Sequence, residues 1–231
     1  MLRVKFLKAV SLGAAALIAA GAAGLGQVSD ANAALALRIS DGITTNTVTD
    51  AGNTGFVNYS GALGAWGINV TTGLGGPVLS APFPHLDLNS VNVTTPNSGG
   101  SLTIMLTDTD FNFGGSVAAF VTNLGGTTNG TLNFQVYVNN DNTAFSTAGT
   151  KVADFGPLGS GAFSASSGGF APISGPYSVT LVATFAHQSA GQVTSFDGEF
   201  QIPEPEALAM FGIGLLGMGG LIARRRRTAA N

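Results

Sequence analysis

Apolar residues through the middle of the chain fall at every second position. Leu86, Leu88, Val91 and Val93 occupy one run, and Leu102, Ile104 and Leu106 the next. Phe134, Val136 and Val138 form a third, and Val179, Leu181, Ala183 and Phe185 a fourth. A period of two places such residues on one face of an extended strand and the polar residues between them on the other. Turn formers divide the runs at Thr95–Gly100, Leu124–Gly130 and Asn139–Asn142. Short strands of this composition predict an antiparallel all-β domain. About ten strands in ~170 residues suit a β-sandwich of two packed sheets, with a jelly-roll-like order as one arrangement, better than a small barrel. Residues Gly156 to Gly175 are rich in Gly, Ser and Ala, which predicts a long loop or crossover pinned to the core by Phe163 and Phe170. No internal repeat of useful length is present, so one domain is expected.

Both ends break the alternation. Arg3, Lys5 and Lys8 precede an apolar or small stretch from Ala9 to Ala23, and Ala31-Asn32-Ala33 follows. A basic region, an apolar region and a small-x-small site make up a secretory signal peptide over 1–33, with cleavage specified by Ala31 and Ala33. The expected passenger is 34–202. At the other end, Pro203, Glu204 and Pro205 lead into residues 207–223, which carry no charge, and then Arg224, Arg225, Arg226 and Arg227. Seventeen residues at ~1.5 Å each span about 25 Å, the short limit for a transmembrane helix. The arginines should stay on the cytoplasmic side and leave the passenger outside.

The Pro-Glu-Pro triplet, the short Gly-rich apolar helix and the terminal Arg cluster together resemble the PEP-CTERM sorting signal, here 203–231. The same tail is also labelled an ice-binding protein C-terminal domain, which describes the tail and implies nothing about ice. The resemblance implies an exosortase as processing partner and transient residence in the inner membrane of a Gram-negative bacterium. It further implies release to the surface, in association with extracellular polysaccharide and biofilm.

Removing both ends leaves nine acidic residues against Arg38 and Lys151 in 34–202, a net charge of −7. A domain this acidic is not built to bind nucleic acid through phosphates. The absence of cysteine excludes disulfides, thiolate metal sites and a Cys nucleophile.

Candidate chemistry is sparse. Asp108 and Asp110 alternate onto one face and could share a calcium ion, with oxygens from Asn139, Asn140, Asp141 and Asn142 if that turn lies near. The calcium-loop signature is missing, and a solvated strand end is the simpler expectation. His85 and His187 belong to no zinc pattern, and no nucleophile elbow or phosphate loop occurs. Glu199 is the sole glutamate of the passenger. Trp66, Tyr59, Tyr137 and Tyr177 could stack on sugars, although aromatic residues more often build cores. No cofactor is expected. The leading expectation is a non-enzymatic structural or adhesive protein of the exopolysaccharide layer. The alternatives are a secreted polysaccharide-acting hydrolase, which needs aspartates converging in one cleft, and a carbohydrate-binding module. An ice-binding face would need Thr103, Thr107 and Thr109 on one flat surface.

Overall fold

The computed structural model describes residues 34–76, 78–79, 84–112 and 117–203, without the side chains of 71 and 72. The signal peptide with Ala31 and Ala33, Glu204 and Pro205, the apolar stretch 207–223 and Arg224 to Arg227 lie outside the described residues.

Twelve strands run through the described residues, in two six-stranded antiparallel sheets. The first sheet has the order β2-β1-β6-β11-β8-β9. Its strands are β1 (Ala36–Ser40), β2 (Thr45–Thr49), β6 (Gly100–Phe111), β8 (Thr131–Asn139), β9 (Thr150–Leu158) and β11 (Tyr177–His187). The second has the order β10-β7-β12-β5-β4-β3. It comprises β3 (Phe56–Leu63), β4 (Trp66–Leu74), β5 (His85–Thr95), β7 (Val117–Thr128), β10 (Gly161–Pro172) and β12 (Gln192–Gln201). The pairs β5·β12, β6·β11, β7·β10 and β8·β9 are nested, as in one long hairpin rolled around the core. β1 with β2 and β3 with β4 widen the two sheets by a hairpin each.

The predicted alternation is the burial pattern. Leu86, Leu88, Val91, Val93, Leu102, Ile104, Leu106, Phe134, Val136, Val138, Val179, Leu181, Ala183 and Phe185 are all buried in one core. Aromatic rings join the sheets there. Phe134 meets Phe196 edge-on at 6.0 Å, Phe185 lies 5.7 Å from Phe196, and Trp66 6.4 Å from Phe185. A Cβ on Gly198 would stand 2.7 Å from the Phe134 ring, so only glycine lets the two sheets approach at this point. Truncating a fully buried phenylalanine such as Phe134 to alanine costs about 3–5 kcal/mol by lost transfer energy and cavity formation.

Two expectations fail. Residues 156–175 are not a loop: β9 runs to Leu158, and Gly161–Pro172 form edge strand β10, paired with β7 over its whole length. Small residues suffice there because an edge strand buries little. Phe163 packs on the core as expected, whereas Phe170 points outward and is 79% exposed.

The strand end carrying Asp108 is not solvated either. Thr107, Asp108 and Thr109 are buried: the segment between β8 and β9 covers Thr107 on the outer face, Asp108 turns inward against Gly75 and Gly76, and Ala34 lies against Thr109. Thr107 Oγ1 accepts from the Phe145 amide at 3.2 Å, and Ser178 Oγ donates to the Thr143 carbonyl at 2.8 Å. With Thr107 and Thr109 covered and Thr103 half-buried, those three threonines do not form a flat exposed face.

Candidate functional site

The outer face of the second sheet carries a groove of about 440 Å³ that crosses four neighbouring strands. β10 contributes Ser164 and Ser166, β7 Asn123 and Gly125, β12 Asp197 and Glu199, and β5 Asp87 and Asn89. Strand register sets the rows: Ser166 lies opposite Asn123, Asn123 opposite Glu199, and Glu199 opposite Asp87. Every second residue of each strand faces this side, so the polar half of each alternating run supplies the lining.

A β-bulge shapes the floor. Asn89 and Ser90 on β5 oppose the single residue Asp197 on β12, and Ser90 has a positive φ of 52°. Such a bulge bends the strand and re-aims its side chains. Asp197 Oδ1 accepts from the Ser90 amide at 2.5 Å, and Ser90 Oγ donates to Asn89 Oδ1 at 2.7 Å. Asn89 Nδ2 donates to Asp87 Oδ2 at 3.4 Å. At the groove's end His85 Nε2 lies 2.7 Å from Glu199 Oε1. Burial holds the Asp87 carboxyl above the usual carboxylate range. Glu199 and Asp197 add to that rise, against the Asn89 hydrogen bond and His85.

Asp87 and Asp197 therefore converge, and Glu199 joins them. The other aspartates do not. Asp154 is held on the surface by Lys151 and by Gln135 Nε2, the latter at 3.1 Å. Asp108 accepts from the amides of Gly76 at 3.0 Å and Thr109 at 2.9 Å. Asp110 occupies a second bulge with a positive φ of 63°, and its Oδ1 accepts from Asn142 Nδ2 at 2.6 Å. The Asn139–Asn142 turn thus does lie beside Asp110, but Asn142 turns its Nδ2 to the carboxylate and its Oδ1 accepts from the Asp110 amide at 2.8 Å. Among the described residues no group of three or more His, Asp or Glu side chains is placed to hold a metal ion.

The predicted sugar-stacking residues are elsewhere. Trp66 and Tyr177 are buried; Trp66 lies 4.6 Å from the His187 ring and Tyr177 5.9 Å from Phe111. Tyr59 Oη accepts from Asn46 Nδ2 at 3.1 Å, and Tyr137 Oη donates to Gln135 Oε1 at 3.0 Å. His187 is enclosed between Thr95 Oγ1 at 3.1 Å and Thr194 Oγ1 at 2.9 Å, and burial holds its pKa below the ordinary histidine value. It is a buried residue outside the groove lining.

Residues 201–227 match the family model of the PEP-CTERM protein-sorting motif. The chain carries a PEP-CTERM sorting motif. This motif implies processing by an exosortase and export to the cell envelope or surface. Of its sequence, Pro203 lies at the end of the described β12 segment, two residues beyond Gln201.

No curated protein matches this PEP-CTERM chain. Among solved structures, it is similar to the enzymatically active domain of bacteriophage CBA120 tailspike protein 4, at 10% identity and TM-score 0.32. That match covers 57% of this chain and 18% of the tailspike chain. A second similarity is to TmCBM61 in complex with β-1,4-galactotriose, at 10% identity and TM-score 0.32, covering 66% of this chain and 90% of that one. A third is to Arthrobacter globiformis T6 isomalto-dextranase complexed with panose, at 14% identity and TM-score 0.22, covering 63% and 23%.

Proposed function

We propose that the chain is an exported, non-enzymatic surface protein of a Gram-negative bacterium that holds extracellular polysaccharide in the groove of its second sheet. Leader 1–33 takes the chain across the inner membrane, and the tail from Pro203 retains it there until an exosortase releases it to the surface. The passenger is a jelly roll with two added hairpins, a description that fits the nested pairing of β5 to β12.

The observation that carries the reading is the lining of the groove. Asp87, Asn89, Asn123, Ser164, Ser166, Asp197 and Glu199 offer many hydrogen-bonding groups on four adjacent strands. Sugar hydroxyls both donate and accept, and such a set can meet them along a chain of several residues. Three carboxylates would repel an anionic polymer, so a neutral or amino-bearing glycan fits best. Phe170, exposed on the same face of β10 as Ser164 and Ser166, supplies an apolar surface for a sugar ring.

A hydrolase is the second reading, favoured by one observation: Asp87, with its carboxyl raised by burial, stands beside two further carboxylates. Acid catalysis of glycoside cleavage uses such a division of roles. Both readings are tested by probing a glycan array with the processed protein, with and without calcium, and assaying bound oligosaccharides for new reducing ends. Retention without cleavage supports adhesion; new reducing ends replace it with the hydrolase; no retention on any glycan removes both. Phe170→Ala should weaken retention while leaving the melting temperature unchanged.

A further inference from the structure

We propose that the Thr109–Asp110 corner of β6, with the buried Asp108 behind it, is the docking site for the chain's own α-ammonium group at Ala34. This rests on removal of the leader after Ala33. In that hydrolysis water breaks the Ala33 C–Ala34 N bond. The hydroxyl goes to Ala33 and a hydrogen to Ala34, and the proton shed by the new carboxylic acid converts the amine to an ammonium. The reagent is a signal peptidase with water as the co-substrate.

The place where that charge arises is fixed by the fold. Leu35 is buried, its carbonyl accepts from the Asp50 amide at 2.9 Å, and Ala36 is paired with both Thr49 and Thr107. Ala34 N consequently lies 3.3 Å from Thr109 Oγ1, to which it donates. Thr109 Oγ1 donates in turn to Asp110 Oδ2 at 3.1 Å. A Cβ built on Gly75 would touch both Leu35 Cδ1 at 2.8 Å and Asp108 Oδ2 at 2.6 Å, so the buried carboxylate and the first core residue share one cradle. An amide offers one donor here, whereas an ammonium offers three.

Among the described residues the corner holds no cation of its own. The charged groups on the elements packed around it are Asp108 and Asp110 on β6, Asp50 after β2 and Asp141 beside Asn142. Arg38 and Lys151 are the basic side chains of 34–203 besides the two histidines. Arg38 stacks on Phe145, Lys151 pairs with Asp154, His85 with Glu199, and His187 is enclosed by threonines. Burial, with Asp110 and Asp50 adding to it, pushes the Asp108 carboxyl up to about 7 against the Gly76 and Thr109 amides. An adjacent ammonium acts in the opposite direction and favours the ionised carboxylates. Maturation therefore supplies the missing counter-charge, and the processed sandwich is better compensated than the precursor.

The test is the titration of that amine in the processed chain, 34–231 in detergent micelles, released from a fusion that leaves Ala34 first. Trace competitive acetylation against pH should place the α-amino pKa higher in the folded chain than in the same chain in urea. Asp110→Asn and Thr109→Val should each reduce that upward shift, and Thr109→Ser should retain it. Equal pKa values folded and in urea, or an upward shift untouched by Asp110→Asn, would overturn the docking. The cleavage site is read separately from the mass of the exported protein's N-terminal peptide. A terminus other than Ala34 defeats the cleavage, while Ala34 with an ordinary titration defeats the docking alone.

Discussion

The guanidinium of Arg38 stands 3.8 Å from the ring centroid of Phe145, joining β1 to the segment that covers the first sheet. Phe145 itself has a positive φ of 58°, a conformation a non-glycine residue keeps only when its surroundings hold it. The same residue donates its amide to Thr107 Oγ1. Arg38→Ala should therefore cost about 0.5–2 kcal/mol in denaturant unfolding, and accelerate exchange of the Phe145 amide well before global opening. An unchanged exchange rate would mean that the stacking does not hold the segment.

Tyr177 predicts the opposite sign. Its side chain is fully buried and its hydroxyl finds no hydrogen-bond partner among the described residues. Burial pushes its pKa well up, which keeps the phenol neutral. A buried donor without a partner costs about 1–3 kcal/mol. Tyr177→Phe removes that cost while keeping the ring against Phe111, so the variant should melt higher than the parent. A lower melting temperature would show that the hydroxyl is bonded in solution.

Two buried groups give stability opposite dependences on pH. His187 is held neutral by burial, so the unfolded chain binds the extra proton and stability falls as pH drops below about 6.5. Asp108, with a folded pKa of about 7 while the Ala34 nitrogen remains an amide, binds its proton more tightly folded than unfolded. Its contribution is complete at low pH and is lost as pH climbs from about 4 through 7. In N-acetylated protein, Asp108→Asn should remove the loss above pH 6 and leave the acid-side loss in place. Urea midpoints from pH 5 to 8 check both slopes.

The same alternation that reveals the strands also marks two of their irregularities. Core positions run Leu86, Leu88, then Val91, and Leu106, Asp108, then Phe111; each pattern slips by one residue. Those slips are the bulges at Asn89–Ser90 and Thr109–Asp110, so the groove floor was legible as a phase error. Strand β10 was not legible, because its Gly and Ser residues carry no apolar alternation and its pairing comes from β7. The meeting of His85 with Glu199 was equally hidden. The two are 114 residues apart and become neighbours only when β12 pairs with β5.

The sorting tail predicts a processing phenotype. Pro203, Glu204 and Pro205 lie between the last strand and the apolar stretch, and proline disfavours helix on either side of the glutamate. Replacing the three with alanines should leave an uncleaved form in the inner membrane and deplete the surface. Normal release at normal size would show that the triplet is not what the exosortase reads.

The most direct test of the central claim is a titration followed by NMR. Oligosaccharides cut from the bacterium's own extracellular polysaccharide would be added to the ¹⁵N-labelled processed protein in micelles. Saturable shifts are expected at the amides of 87–89, 123–125, 164–166 and 197–199, reduced by Asp197→Ala. Shifts confined to other surfaces, or none at saturating oligosaccharide, would contradict it.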